Sequence, residues 1–89
     1  MAHHRSAIKR HLQSIKRRDR NRFFVSTMRT HIKRTRDALV SDNREEASTV
    51  LRTATAFIQM VAGKGIIHRN KASRLVSRLT SQFYKKFEA

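Results

Sequence analysis

The sequence predicts an all-α fold: a three-helix bundle with a long, protruding, basic first helix. Three observations predict it. Apolar residues recur at spacings of three and four. No sustained alternation and no Asn-Gly or Asp-Gly hairpin turn is present. Breakers are confined to two places, because the chain has no Pro and its two glycines are Gly63 and Gly65. With 89 residues it is one domain at most.

The first helix is expected over residues 6–40. Ser6 offers an N-cap, and no breaker intervenes before Ser41-Asp42-Asn43, so the helix runs for roughly 50 Å. Its apolar residues form two stripes. Phe24, Met28, Ile32 and Leu39 share one face, whereas Ile8, Leu12 and Ile15 project from nearly the opposite one. Only a kink near Asn21–Phe24 would realign them. A straight helix leaves Ser6 to Arg22 protruding, since a middle helix of about 20 residues covers its partner only back to roughly Arg22.

The second helix is expected over residues 43–62, with Ala47, Val50, Leu51, Ala54, Phe57, Ile58 and Val61 on its inner face. Asp42 followed by Glu45 reads as a capping-box-like start, and Gly63-Lys64-Gly65 as a left-handed stop. The third is expected over residues 70–87 with Asn70 as N-cap. Ala72, Leu75, Val76, Leu79, Phe83 and Phe87 fall within about 120° of arc. Phe57, Phe83 and Phe87 are therefore core residues, and Tyr84, off the stripe, belongs at the solvent edge or against a nucleic acid.

Charge narrows the function. The 21 Lys and Arg outnumber the 6 Asp and Glu, for a net +15 and a sequence pI near 11.9. Residues 1–36 hold twelve of those cations against Asp19 alone, and residues 63–89 hold seven against Glu88. The middle stretch is net acidic, and its Ser, Thr and Gln face solvent. Such a charge opposes compaction through self-repulsion, and a polyanionic partner resolves it. An enzyme is not expected: a domain this small buries only about 60% of its unfolded surface, leaving little room for a pocket. The acids also lack partners placed for acid–base work. Without Cys there are no disulfides or thiolate metal sites. His3, His4, His11, His31 and His68 are not spaced as ligands on one helix face, so no metal is expected. The longest uncharged stretch, Thr53 to Gly63, is about half a membrane span, and no apolar run follows the basic N-terminus. These features imply a soluble, cytosolic domain.

The basic segment is not an ordinary solvated face. Such faces interleave both signs at helical spacing, whereas Arg5/Lys9, Lys16/Arg20 and Arg18/Arg22 place like charges four apart. Together these pairs oppose the helix by roughly 1 kcal/mol. The segment is accordingly expected to order fully only on a polyanion, with Arg5, Arg20 and Arg22 among its phosphate ligands. Ile8, Leu12 and Ile15 either pack on sugar or base surfaces or are tolerated exposed aliphatics. A nucleoid-type DNA-binding protein shares this composition. A cationic membrane binder would show Trp and one coherent apolar face, and this chain has neither.

Specific residues add to that reading. Ala62-Gly63-Lys64-Gly65-Ile66-Ile67-His68-Arg69-Asn70-Lys71-Ala72-Ser73-Arg74, followed by Ser77-Arg78-Leu79, resembles the hallmark segment of the bacterial small-subunit ribosomal protein twenty family. Met1-Ala2 with Ser6-Ala7 and Lys9-Arg10, and Met28-Arg29-Thr30 with Ile32-Lys33, extend the resemblance across the chain. It implies a three-helix, non-enzymatic structural constituent of the small ribosomal subunit. Such a protein binds 16S rRNA directly, stabilises its fold during assembly, and links the 5′ domain to the long penultimate helix of the 3′ minor domain. It implies few or no protein contacts within the subunit, no cofactor, no membrane and no small-molecule substrate. Carried over by position, the RNA-facing residues are Ser6, Lys9, Arg10, Lys16, Arg17, Arg18, Asn21, Arg29 and Lys33. Near the second turn and third helix they are Lys64, His68, Arg69, Asn70, Lys71, Arg74, Ser77 and Arg78. The chain departs from the family at Gly63 and Leu75-Val76, where more Lys is expected, and at Phe23-Phe24, where smaller residues are usual. The latter implies a more apolar bundle end.

Overall fold

A computed structural model describes residues 2–87, with side chains from His4 onward. His3 and Glu88, read above from the sequence, lie outside the described side chains. Three helices follow in order: α1 Ala2–Val40, α2 Arg44–Gly63 and α3 Arg69–Phe87. Helix α1 packs chiefly on α2, and α2 on α3, while α1 and α3 share a lighter seam.

Helix α1 is 39 residues long and unbroken, so the two stripes are not realigned by a kink. Met28, Ile32, Ala38 and Leu39 are buried, whereas Ile8 and Leu12 are 49% and 54% exposed. From His4 to Arg20 only Ile15 is even partly covered. The molecule measures 66 × 21 × 13 Å with a radius of gyration of 17.9 Å, against about 12 Å for a compact chain of this length. The N-terminal half of α1 is thus an arm standing off the bundle. The arm is helical throughout, which is the conformation expected of it on a polyanion. Ala, Arg, Lys, Gln and Leu favour helix and no Gly or Pro interrupts them, against about 1 kcal/mol of like-charge repulsion spread over the segment.

The core lies between the three inner stripes. Met28, Ile32, Ile58, Val61, Ala72 and Leu79 form one cluster, with Phe24, Phe57, Ile66 and Ile67 packed against it. Ala38, Leu39, Ala47 and Phe83 form a second, joined by Val50 and Phe87. Thr35 is wholly buried among them and donates its hydroxyl to the His31 carbonyl at 2.9 Å, which removes the cost of an unpaired buried group. Tyr84 is exposed and meets Phe83 edge-on at 5.6 Å.

Every helix start differs from the sequence expectation. Ser6 is not a cap: α1 is already helical from Ala2, because nothing in Ala2–Arg5 resists helix formation. The cap of α2 is Asn43, one residue later than expected. Its backbone is extended and its Oδ1 accepts from the Glu46 N–H at 3.1 Å, while Asp42 instead reaches the Lys86 ammonium at 3.4 Å. The cap of α3 is His68, not Asn70. Its Nδ1 accepts from the Asn70 N–H at 3.1 Å.

The turn between α2 and α3 explains that shift. Gly65 has φ 76°, a left-handed value that glycine adopts without steric cost. The Gly65 N–H bonds the Ala62 carbonyl at 2.9 Å and the Ile66 N–H bonds Val61 at 3.2 Å, which is the Schellman closure. Gly63 remains helical. Ile66 and Ile67 then insert against the core and return the chain to helix at Arg69.

Candidate nucleic-acid interface

The expected contact residues are almost all on the surface. Arg5, Ser6, Lys9, Arg10, Lys16, Arg17, Arg18, Arg20 and Arg22 ring the arm, and Arg29 and Lys33 continue along α1 beside the bundle, all exposed. Lys64, His68, Arg69, Asn70, Lys71, Arg74, Ser77 and Arg78 are exposed around the second turn and α3. Asn21 is the exception. It is half-buried, and its Oδ1 is enclosed with no hydrogen-bond partner among the described residues.

Three open grooves bring subsets of these residues together. On the arm, Lys16, Arg17 and Arg20 line a groove of about 270 Å³ with Gln13, since positions i, i+3, i+4 and i+7 share a helix face. At the α1–α3 seam, Arg29 and Lys33 border about 370 Å³ with Ile32, Arg36, Asp37 and Leu75. Across α2 and α3, Arg69 and Ser77 border about 380 Å³ with Gln59, Ala62, Ala72, Ser73 and Val76. Arg5, Ser6, Lys9 and Arg10 join none of these grooves and stand along the far end of the arm. Sequence reasoning missed Gln13 and Arg36. The signal was available, because Arg36 lies seven residues after Arg29 and three after Lys33 on one side of α1.

Electrostatically the surface is uncompensated. Among the described residues none of the expected lysines and arginines is ion-paired, while Lys86 pairs with Asp42. Arg10 directs its Nε to the Ser6 carbonyl at 3.5 Å. Lys64 stands over the Phe24 ring, 5.4 Å from its centroid, a cation–π contact that fixes the side chain and leaves its charge unneutralised. At the α3 cap, acceptance by His68 Nδ1 puts the ring proton on Nε2, which can donate outward.

The arrangement suits a large polyanion. Arg donates in a planar fork to phosphate and Lys acts as a point charge, and both are spread along an elongated surface. Among the described residues there is no group of three or more His, Cys, Asp or Glu that could hold a metal. Among the described residues no helix is long and apolar enough to cross a membrane.

Comparison with known proteins agrees with this geometry. Residues 2–84 match the family model described as ribosomal protein S20. A protein of Trichlorobacter lovleyi named small ribosomal subunit protein bS20 is 52% identical over 80 residues, covering 90% of this chain and 92% of the relative. The protein of that name from Pelobacter propionicus is 50% identical with the same coverage, and that from Geobacter sulfurreducens is 49% identical, again with the same coverage. A cationic arm, a three-helix bundle and similarity along nearly the whole chain converge on one assignment: the chain belongs to the ribosomal protein S20 family.

Proposed function

We propose that this protein binds 16S rRNA directly, stabilises its fold during small-subunit assembly, and holds the 5′ domain against the 3′ minor domain. The family is one of structural, non-enzymatic ribosomal proteins, and a bacterial ribosome works in the cytoplasm. One observation carries the finer reading: the exposed, unpaired cations run from the arm along the α1–α3 seam, over most of a 66 Å molecule. A surface that long reaches RNA segments that are far apart in sequence. The contacts are Arg5, Ser6, Lys9, Arg10, Lys16, Arg17, Arg18, Arg20, Asn21, Arg22, Arg29 and Lys33 from α1. The turn and α3 add Lys64, His68, Arg69, Asn70, Lys71, Arg74, Ser77 and Arg78. Recognition rests on phosphate geometry and RNA shape, because the A-form major groove is too deep and narrow for side chains to read. The chain acts as a single RNA-binding domain with few or no protein contacts.

Chemical footprinting of small-subunit rRNA with and without the protein tests this. Protections are expected in both the 5′ and the 3′ minor domains. Parallel filter binding at elevated salt should favour ribosomal RNA fragments over duplex DNA, and equal affinity would favour a nucleoid-type role instead.

A further inference from the structure

One large apolar ring stands outside the core. Phe23 is 64% exposed and touches one neighbouring ring. Phe24 meets it edge-on, with ring centroids 5.6 Å apart and planes at 76°. Phe24 is itself held at the bundle end, 6.3 Å from the Phe57 ring and beneath the Lys64 ammonium. Isolated surface hydrophobics are common, but an exposed aromatic face beside a cationic groove is what nucleobase stacking uses.

The approach to this ring is cationic. Lys16, Arg17 and Arg20 line the arm's groove on the same helix. Arg20 precedes Phe23 by three residues, so the two are neighbours on the helix surface, about 4.5 Å apart along the axis. A phosphate gripped by Arg20 leaves the attached base within reach of the ring. Asp19 lies one turn before Phe23 on the other flank and is unpaired among the described residues. Its carboxylate repels phosphate and keeps the backbone on the Arg20 side.

We infer that Phe23 is a stacking site for one unpaired nucleobase of the bound RNA, with Lys16, Arg17 and Arg20 holding the adjoining backbone. The inference rests on the ribosomal-RNA reading above. It adds a ligand class, a base unstacked from a loop or bulge, to an interface otherwise made of phosphate contacts.

Salt-dependent binding of the full-length chain to a 16S rRNA 5′-domain fragment tests it. Phe23→Ala is expected to weaken binding about tenfold without changing the slope of log affinity against log salt. Phe23→Tyr should bind like wild type, and Phe23→Leu like Phe23→Ala. Arg20→Ala should both weaken binding and flatten the slope by about one unit. Because Phe23 is exposed, circular dichroism of its variants should match wild type. Wild-type affinity in Phe23→Ala overturns the inference alone and leaves the ring to a protein contact. Wild-type affinity in Phe23→Leu, or a flattened slope in Phe23→Ala, overturns stacking. A wild-type chain that does not bind the fragment overturns the functional reading and this inference with it.

Discussion

The imidazole Nδ1 of His68 accepts the backbone N–H of Asn70 at 3.1 Å, and the Ala72 N–H follows onto the His68 carbonyl at the same distance. One residue therefore closes the start of α3 with both its ring and its carbonyl, and its exposed imidazole keeps an Nε2–H for donation.

Capping and RNA binding at His68 are separable. His68→Ala leaves a first-turn N–H without its partner and should cost about 1 kcal/mol, which lowers the melting temperature by about 4–8 °C in a domain of this size. Asn is among the best capping residues, so His68→Asn should melt no lower than wild type. If His68→Asn restores stability but binds 16S rRNA less tightly, the outward Nε2 contact is real. If both variants bind like wild type, His68 is a cap only.

The two glycines of the second turn should respond with opposite sign. A Cβ at Gly63 meets nothing within 4 Å and its backbone is helical, so Gly63→Ala should gain about 0.5–1 kcal/mol from lower unfolded-state entropy and better propensity. A Cβ at Gly65 also has space, but φ 76° strains any L-residue by about 1–2 kcal/mol. Thermal melts should move up for the first variant and down for the second. A loss in both would mean that the Gly63 position is also strained.

The inner stripes were legible in the sequence because burial follows helical period, and Met28, Ile32, Ile58, Val61 and Leu79 occupy the places that period assigns. Thr35 was not legible. It lies seven residues after Met28 and three after Ile32, but a hydroxyl reads as surface until its bond to the His31 carbonyl is known. Helix starts failed for a related reason. Ser6, Asp42 and Asn70 all have capping side chains, and sequence alone does not tell which backbone turns extended. His68 outcompeted Asn70 because the Schellman turn and the partly buried Ile66 and Ile67 fixed where α3 could begin. For the candidate interface, the cations themselves were plain from charge segregation. Their grouping into grooves required the register of α1 against α3.

Arg74 distinguishes interface from scaffold. It is exposed on α3 and unpaired among the described residues, so Arg74→Glu removes no internal contact. Surface substitutions of this kind stay within about 0.5 kcal/mol. The melting temperature should barely move, while affinity for 16S rRNA falls because one phosphate contact becomes a repulsion. A large fall in melting temperature would make Arg74 structural.

Salt should act on the free arm and on the complex in opposite directions. Arg5/Lys9, Lys16/Arg20 and Arg18/Arg22 are exposed like-charge pairs one turn apart, each opposing the helix by about 0.2–0.5 kcal/mol. The Debye length is about 10 Å at 0.1 M salt and shortens as salt is added, which relieves these pairs. Helices α2 and α3 are held by buried apolar contacts and respond little. Far-ultraviolet circular dichroism of the free chain should therefore show a modest gain of helix between 50 and 200 mM salt. Over the same range a protein neutralising six to ten phosphates loses about three to five decades of affinity. Helicity that stays flat would mean the arm's repulsion is already offset, and affinity that stays flat would remove phosphate from the interface altogether.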